Sequence, residues 1–140
     1  MAMNETEIIW HNGEYKPWHD ATTHVLSHAI HYGSSVFEGI RVYDCLGKPV
    51  GFRMREHLKR LYNSARVYRF EIPYDIDTLF DVCCGLILRN GLTSAYLRPV
   101  AFRGYGSLSV APKEALPIDV SIAAIQWGTY LGEAAREQGA

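Results

Sequence analysis

Two apolar stripes of helical period, one after the other between residues 54 and 90, constrain this chain's fold more than any other feature. From Met54 to Tyr68, Leu58, Leu61, Tyr62, Ala65 and Tyr68 fall at i, i+3, i+4, i+7 and i+10, one side of an amphipathic helix. A second helix fits Asp75 to Asn90. Asp75 is its N-cap, Ile76, Leu79, Phe80, Cys83 and Ile87 are its apolar face, and Asn90-Gly91 is its stop. Each stripe must be buried against another element, and the segments on either side of the pair read as strands.

Before the helices, EIIW, Asn12-Gly13 and EYKPW read as a hairpin, since Asn-Gly supplies the positive φ angles of a type I′ turn. Residues 20 to 35 look irregular. From Val36 to Tyr43, Phe37, Gly39, Arg41 and Tyr43 share one strand face, and Val36, Glu38, Ile40 and Val42 share the other. A glycine inside a strand often marks the close approach of a ligand or another backbone, so a site is expected on the Phe37/Gly39/Arg41 face. Gly47-Lys48-Pro49 turns this strand into another, Val50 to Arg53. After the helices, Ser94 to Arg103 reads as a strand with Tyr96, Arg98, Val100 and Phe102 pointing inward. Pro99 argues for an edge or a bulge there. GYGSLSVAPKEALP, 104 to 117, is a loop, and the apolar run Asp119 to Gln126 is a central strand. Together these elements predict an α+β fold with a largely antiparallel sheet over residues 1–127. The small, polar stretch 128–140 reads as a linker into a further domain.

At 140 residues, 48% hydrophobic, the chain is long enough to bury a core without disulfides or a structural metal. A net charge of -1 gives no reason to expect nucleic acid or an anionic membrane as a partner. No run is long and apolar enough for a bilayer span, and MAMNETEIIW does not read as a signal peptide. Cys45, Cys83 and Cys84 suit a reducing cytoplasm and read as small apolar fillers.

His28 and His31 lack carboxylate or thiolate partners in sequence and read as polar packing or a hydrogen-bonded turn, with no metal expected. GYGS at 104 lacks the third glycine of a dinucleotide fingerprint. Arg98, on a face expected to be buried, needs an anion, either a carboxylate side chain or a ligand, and Tyr96 adds a hydroxyl beside it. Arg60 has an i−4 partner in Glu56. Tyr32 reads as an aromatic whose hydroxyl finds a turn carbonyl.

HYGSSVFEGIR (31–41), FRMREHLKRLYNSARVY (52–68), AYLRP (95–99) and WGTYLG (127–132) together resemble the branched-chain amino acid aminotransferases, pyridoxal 5′-phosphate enzymes of fold type IV. The resemblance covers the small N-terminal domain and interdomain linker of that family. It implies amino-group transfer between leucine, isoleucine or valine and 2-oxoglutarate, in a cytoplasmic homo-oligomer whose ligands are branched-chain amino acids, glutamate and 2-oxo acids. By motif position, Arg60 would bind the cofactor phosphate. Tyr32, Phe37 and Gly39 would line the side-chain pocket, the bare glycine making room for a branched substrate. Tyr96 would meet the α-carboxylate and Arg98 the second carboxylate of glutamate. Val110, in a neighbouring subunit's pocket, and Tyr130 would complete it. The family's Schiff-base lysine would lie beyond Ala140, since Lys16, Lys48, Lys59 and Lys113 do not match it. The 140 residues alone are therefore expected to lack transaminase activity and to self-associate around Tyr32, Phe37 and Val110. D-amino acid transamination and aminodeoxychorismate lyase chemistry are sister activities of the same fold. Those relatives usually carry an acidic residue where this chain has Ser34 or Ser35, and lack AYLRP. A non-catalytic domain binding small carboxylates is the other class.

Overall fold

The structure, a computed structural model, describes residues 4–126. Strands β1 (Ile8–His11) and β2 (Glu14–Pro17) form the expected hairpin, with Asn12 at φ 48 and Gly13 at φ 95. The segment expected to be irregular contains a short helix, α1 (His28–Tyr32), stopped by Gly33 at φ 63. Five residues are too few to show a periodic stripe, which is why the sequence concealed it.

The single strand expected from Val36 to Tyr43 is two: β3 (Ser35–Phe37) and β4 (Ile40–Cys45), interrupted at Glu38 and Gly39. The next strand, β5 (Lys48–Gly51), begins two residues earlier than Val50, because Leu46 (φ 56) and Gly47 (φ 80) make the turn. Pro49 is then a strand residue, tolerated because β5 lies at the sheet edge.

Helices α2 (Met54–Val67) and α3 (Ile76–Arg89) form where the stripes place them. Asp75 caps α3 by accepting the Thr78 N–H at 2.6 Å, and Gly91 at φ 61 follows its end. Tyr68 lies just past α2 and is exposed, so the buried stripe of that helix ends at Ala65. Strands β6 (Ala95–Arg103) and β7 (Ile118–Ile125) follow, joined by the predicted loop at 104–117.

The sheet order is β2-β1-β7-β6-β4-β5, with β3 also on β6, and every pairing is antiparallel. The fold is α+β. As predicted, β7 is central. β6 is central too, paired along its whole length with β7, so Pro99 does not mark an edge. The inward face of β6 is also the reverse of that expected: Ala95, Leu97, Pro99 and Ala101 are buried, whereas Tyr96, Arg98, Val100 and Phe102 are only half-buried. The physical reason is burial: Ala95, Leu97 and Ala101 join the core that the sheet shares with the two helices, while the bulkier set lies on the other face. Val36, Ile40, Val42, Leu97, Val120, Ile122 and Ala124 form the sheet side of the core, and Leu58, Leu61, Leu79, Cys83 and Leu86 the helix side.

Cys83 is a buried filler, its thiol pushed up to about 12 by desolvation. Cys45 is exposed and fills nothing. No helix among the described residues is long and apolar enough to cross a membrane.

Because Leu97 is fully buried, Leu97→Ala is expected to lower stability by about 2–5 kcal/mol in urea denaturation. Val100→Ala, on the opposite face, should lose clearly less. A larger loss at Val100 would mean that the strand faces the other way.

Candidate active site

Three clusters hold the candidate site residues. The first lies on the open face of the sheet. Arg98 lies over the Phe37 ring at 4.4 Å and the Tyr96 ring at 5.1 Å, and its Nη2 donates to Tyr96 Oη at 2.9 Å. No carboxylate among the described residues forms an ion pair with Arg98. Its charge is thus held by two π faces and a hydroxyl, in place of the buried anion the sequence called for. Such stacking is worth about 0.5–1 kcal/mol per ring at exposed sites.

Gly39 belongs to the same cluster. A Cβ there would overlap the Tyr96 hydroxyl and stand 2.7 Å from its Cζ. The space left by the missing side chain is therefore filled by Tyr96. Glycine at this position admits the tyrosine that braces Arg98.

The second cluster binds α1 to the 104–117 loop. Tyr32 Oη donates to the Leu108 carbonyl at 2.6 Å, the kind of partner expected for it. His28, buried, lies 3.2 Å from the Ser109 carbonyl through Nε2 and 2.8 Å from Ser34 Oγ through Nδ1. A carbonyl only accepts, so Nε2 carries the proton and Nδ1 can accept the Ser34 hydroxyl. His31 Nε2 donates to the Val25 carbonyl at 3.0 Å. Both histidines are thus used in local hydrogen bonds. Val110 follows the anchored residues and is exposed, as are Tyr32 and Phe37.

The third cluster corrects the partner of Arg60. Its Nε and Nη2 donate to Glu38 Oε1 and Oε2 at 2.5 and 2.7 Å. Glu56 instead pairs with Arg53 at 3.6 Å. Glu38, in the gap between β3 and β4, is buried like Val36, Ile40 and Val42, and only 4% of it is exposed. His57 Nδ1 lies 2.9 Å from Glu38 Oε2. Burial by itself raises the Glu38 carboxyl, but hydrogen bonds from Arg60 and His57 and the attraction of those groups outweigh it. They hold the carboxyl below the usual range. The sequence contained this signal: a carboxylate among inward-facing apolar residues needs a cation, and Arg60 lies on the helix packed beside it.

Phe37, Gly39, Tyr96 and Arg98 are thus brought together, and Tyr32 is tied to the loop that carries Val110. Arg60 is held through the residue between Phe37 and Gly39. Tyr130 lies outside the described residues. Arg60 fits a phosphate group: its side chain is 67% exposed, and its hydrogen bonds to Glu38 use Nε and Nη2 and not Nη1. It borders an open depression with Arg53, Glu56 and His57.

The sequence profile of the amino-transferase class IV family matches residues 35–137, and the chain belongs to that family. It is 51% identical over 139 residues to the branched-chain-amino-acid aminotransferase of Escherichia coli (strain K12), across 99% of this chain and 45% of that enzyme. The crystal structure of the Escherichia coli branched-chain amino acid aminotransferase matches with a TM-score of 0.89 and 51% identity, over 94% of this chain and 43% of that one. The T.th. branched-chain amino acid aminotransferase, solved with pyridoxamine 5′-phosphate, matches with a TM-score of 0.87 and 48% identity, over 94% and 43%. The chain spans less than half the length of these relatives.

Two predictions test this geometry. Gly39→Ala should cost about 1–3 kcal/mol of stability through overpacking, and little of it should remain in a Tyr96→Ala background. A full cost in both backgrounds would show that Tyr96 is not what fills the site. Glu38, held below the ordinary carboxyl value of about 4.3, contributes stability that is present above that value and lost as pH falls through its folded one. The stability gap between the parent chain and Glu38→Gln should therefore be largest above about pH 5 and close in acid. A gap independent of pH would contradict an ionised Glu38.

Proposed function

We propose that this chain is the small N-terminal domain, residues 1–127, and the following linker of a pyridoxal 5′-phosphate-dependent branched-chain amino acid aminotransferase. It would transfer the amino group between L-leucine, L-isoleucine or L-valine and 2-oxoglutarate, in the cytoplasm and as a homo-oligomer. The observation that carries this is Arg98, stacked on two aromatic rings with no carboxylate partner among the described residues, in a chain so close to enzymes of that name. A cation prepared in this way, beside the apolar wall of Phe37, suits a pocket that must take both an aliphatic side chain and a second carboxylate.

Bound pyridoxal 5′-phosphate would supply the carbonyl that carries the amino group and the electron sink for proton movement. This chain's own residues bind and orient. Arg60 would hold the phosphate by a charge-assisted contact, of the kind for which arginine is favoured. Tyr96 holds the α-carboxylate, and Arg98 the distal carboxylate of glutamate or 2-oxoglutarate. Tyr32, Phe37, Gly39 and Tyr130 form the aliphatic pocket, and Val110 closes that of a neighbouring subunit. The exposure of Tyr32, Phe37 and Val110, at 45%, 58% and 77%, supports such a second covering surface. The lysine that joins the cofactor would lie outside these 140 residues.

In the full-length enzyme, Arg98→Leu is expected to lower kcat/KM for glutamate and 2-oxoglutarate about ten- to a hundredfold, the loss of one charge-assisted contact, and to affect leucine much less. Equal losses in both half-reactions would overturn the role of Arg98. The 140-residue chain by itself is expected to show no turnover. Measurable turnover would place the catalytic lysine within it.

A further inference from the structure

Glu38 has no part in the roles above, yet it is the most enclosed ionised group of the region. Its backbone is fixed, because its N–H donates to the Pro99 carbonyl at 2.9 Å in the central strand of the sheet. Its carboxylate holds the Nε–Nη2 edge of Arg60 by two hydrogen bonds and meets His57 as well. Arg60 itself is mostly exposed on α2, where an unheld arginine samples many rotamers.

We propose that Glu38 is a positioning residue for phosphate recognition: by holding one edge of the Arg60 fork, it aims the free edge at the phosphate of the cofactor. This rests on the cofactor reading above. The two effects of a carboxylate behind an arginine have opposite signs. Fixing the fork removes an ordering cost from binding and strengthens it. Partial neutralisation of the guanidinium weakens it. The Glu38 side chain is only 4% exposed and that of Arg60 is 67% exposed, so an incoming phosphate meets the cation first. Positioning therefore dominates.

The test uses the full-length protein and two probes, pyridoxal 5′-phosphate and pyridoxal, which differ only in the phosphate. The ratio of their affinities isolates what Arg60 and Glu38 do. Glu38→Gln is expected to lower the preference for the phosphorylated form about tenfold and leave pyridoxal affinity unchanged. Arg60→Ala should lower it further, and Glu38→Gln/Arg60→Ala no further than Arg60→Ala alone, because Glu38 acts through Arg60. Should Glu38→Gln not fold, Glu38→Asp serves. It keeps the charge but is one methylene too short to hold both nitrogens, and a lowered preference is again expected. An equal loss for both probes would reduce Glu38 to a structural ion-pair partner. A raised preference would show that it only neutralises Arg60. An unsubstituted protein that binds the two probes equally would overturn the cofactor reading itself, and the positioning role with it.

Discussion

Pro99 has no N–H to give, and it sits in the middle of the sheet. In an antiparallel strand the N–H and C=O of one residue point to the same neighbour. The Pro99 carbonyl accepts from Glu38 N, so the missing donor is the one that the Glu38 carbonyl would have met. Pairing fails there and resumes in the same register, from Phe37↔Val100 to Ile40↔Leu97. Both arginine clusters depend on the two residues in the gap. Glu38 turns its carboxylate inward to Arg60, and Gly39, without a side chain, lets Tyr96 lie across the open face to Arg98. One residue that cannot complete a ladder thus sets the backbone from which the site is built.

The two arginines are prepared by different physics. Arg60 is on a helix and exposed, so only a charge-assisted pair strong enough to offset side-chain entropy can fix it. Such a pair works here because Glu38 is removed from water and doubly bonded. Arg98 emerges from a central strand whose backbone is already immobile. Stacking on Phe37 and Tyr96 holds it, and among the described residues no carboxylate forms an ion pair with it. In the proposed enzyme, phosphate capture by Arg60 would call for a fixed direction, and capture of a substrate carboxylate by Arg98 for a cation left available to it.

Much of this was legible in the sequence. The helices were, because each stripe persists over several turns and ends in a recognisable cap, as Asp75 and Asn90-Gly91 show. The strand faces of 36–43 were legible too, because Val36, Ile40 and Val42 alternate cleanly with Phe37 and Arg41. β6 misled because both of its faces are largely apolar. Tyr96, Val100 and Phe102 outweigh Ala95, Leu97 and Ala101 in bulk, yet it is Ala95, Leu97 and Ala101 that lie in the core. The β4–β5 turn hid behind Leu46, a residue that rarely takes a positive φ. The Arg60–Glu38 pair was missed for a different reason. Sequence proximity offers Glu56, but a pair between solvated groups is worth only a few tenths of a kcal/mol, and a buried carboxylate that would otherwise lack a partner competes far more strongly.

The open face of the sheet has a consequence for the choice of substrate. Two helices cover one side, and Arg98, Phe37 and Tyr96 occupy the other. A guanidinium lying flat on a ring keeps its N–H donors in its own plane and is weakly hydrated above and below. Stripping water from that surface to admit an aliphatic chain costs less than it would from a lysine ammonium. In the proposed enzyme the same wall can therefore bind a leucine side chain against Phe37 and the face of the arginine, or a glutamate carboxylate against its edge. Neither substrate requires the pocket to be rebuilt, because the aromatic rings hold the arginine in one place for both.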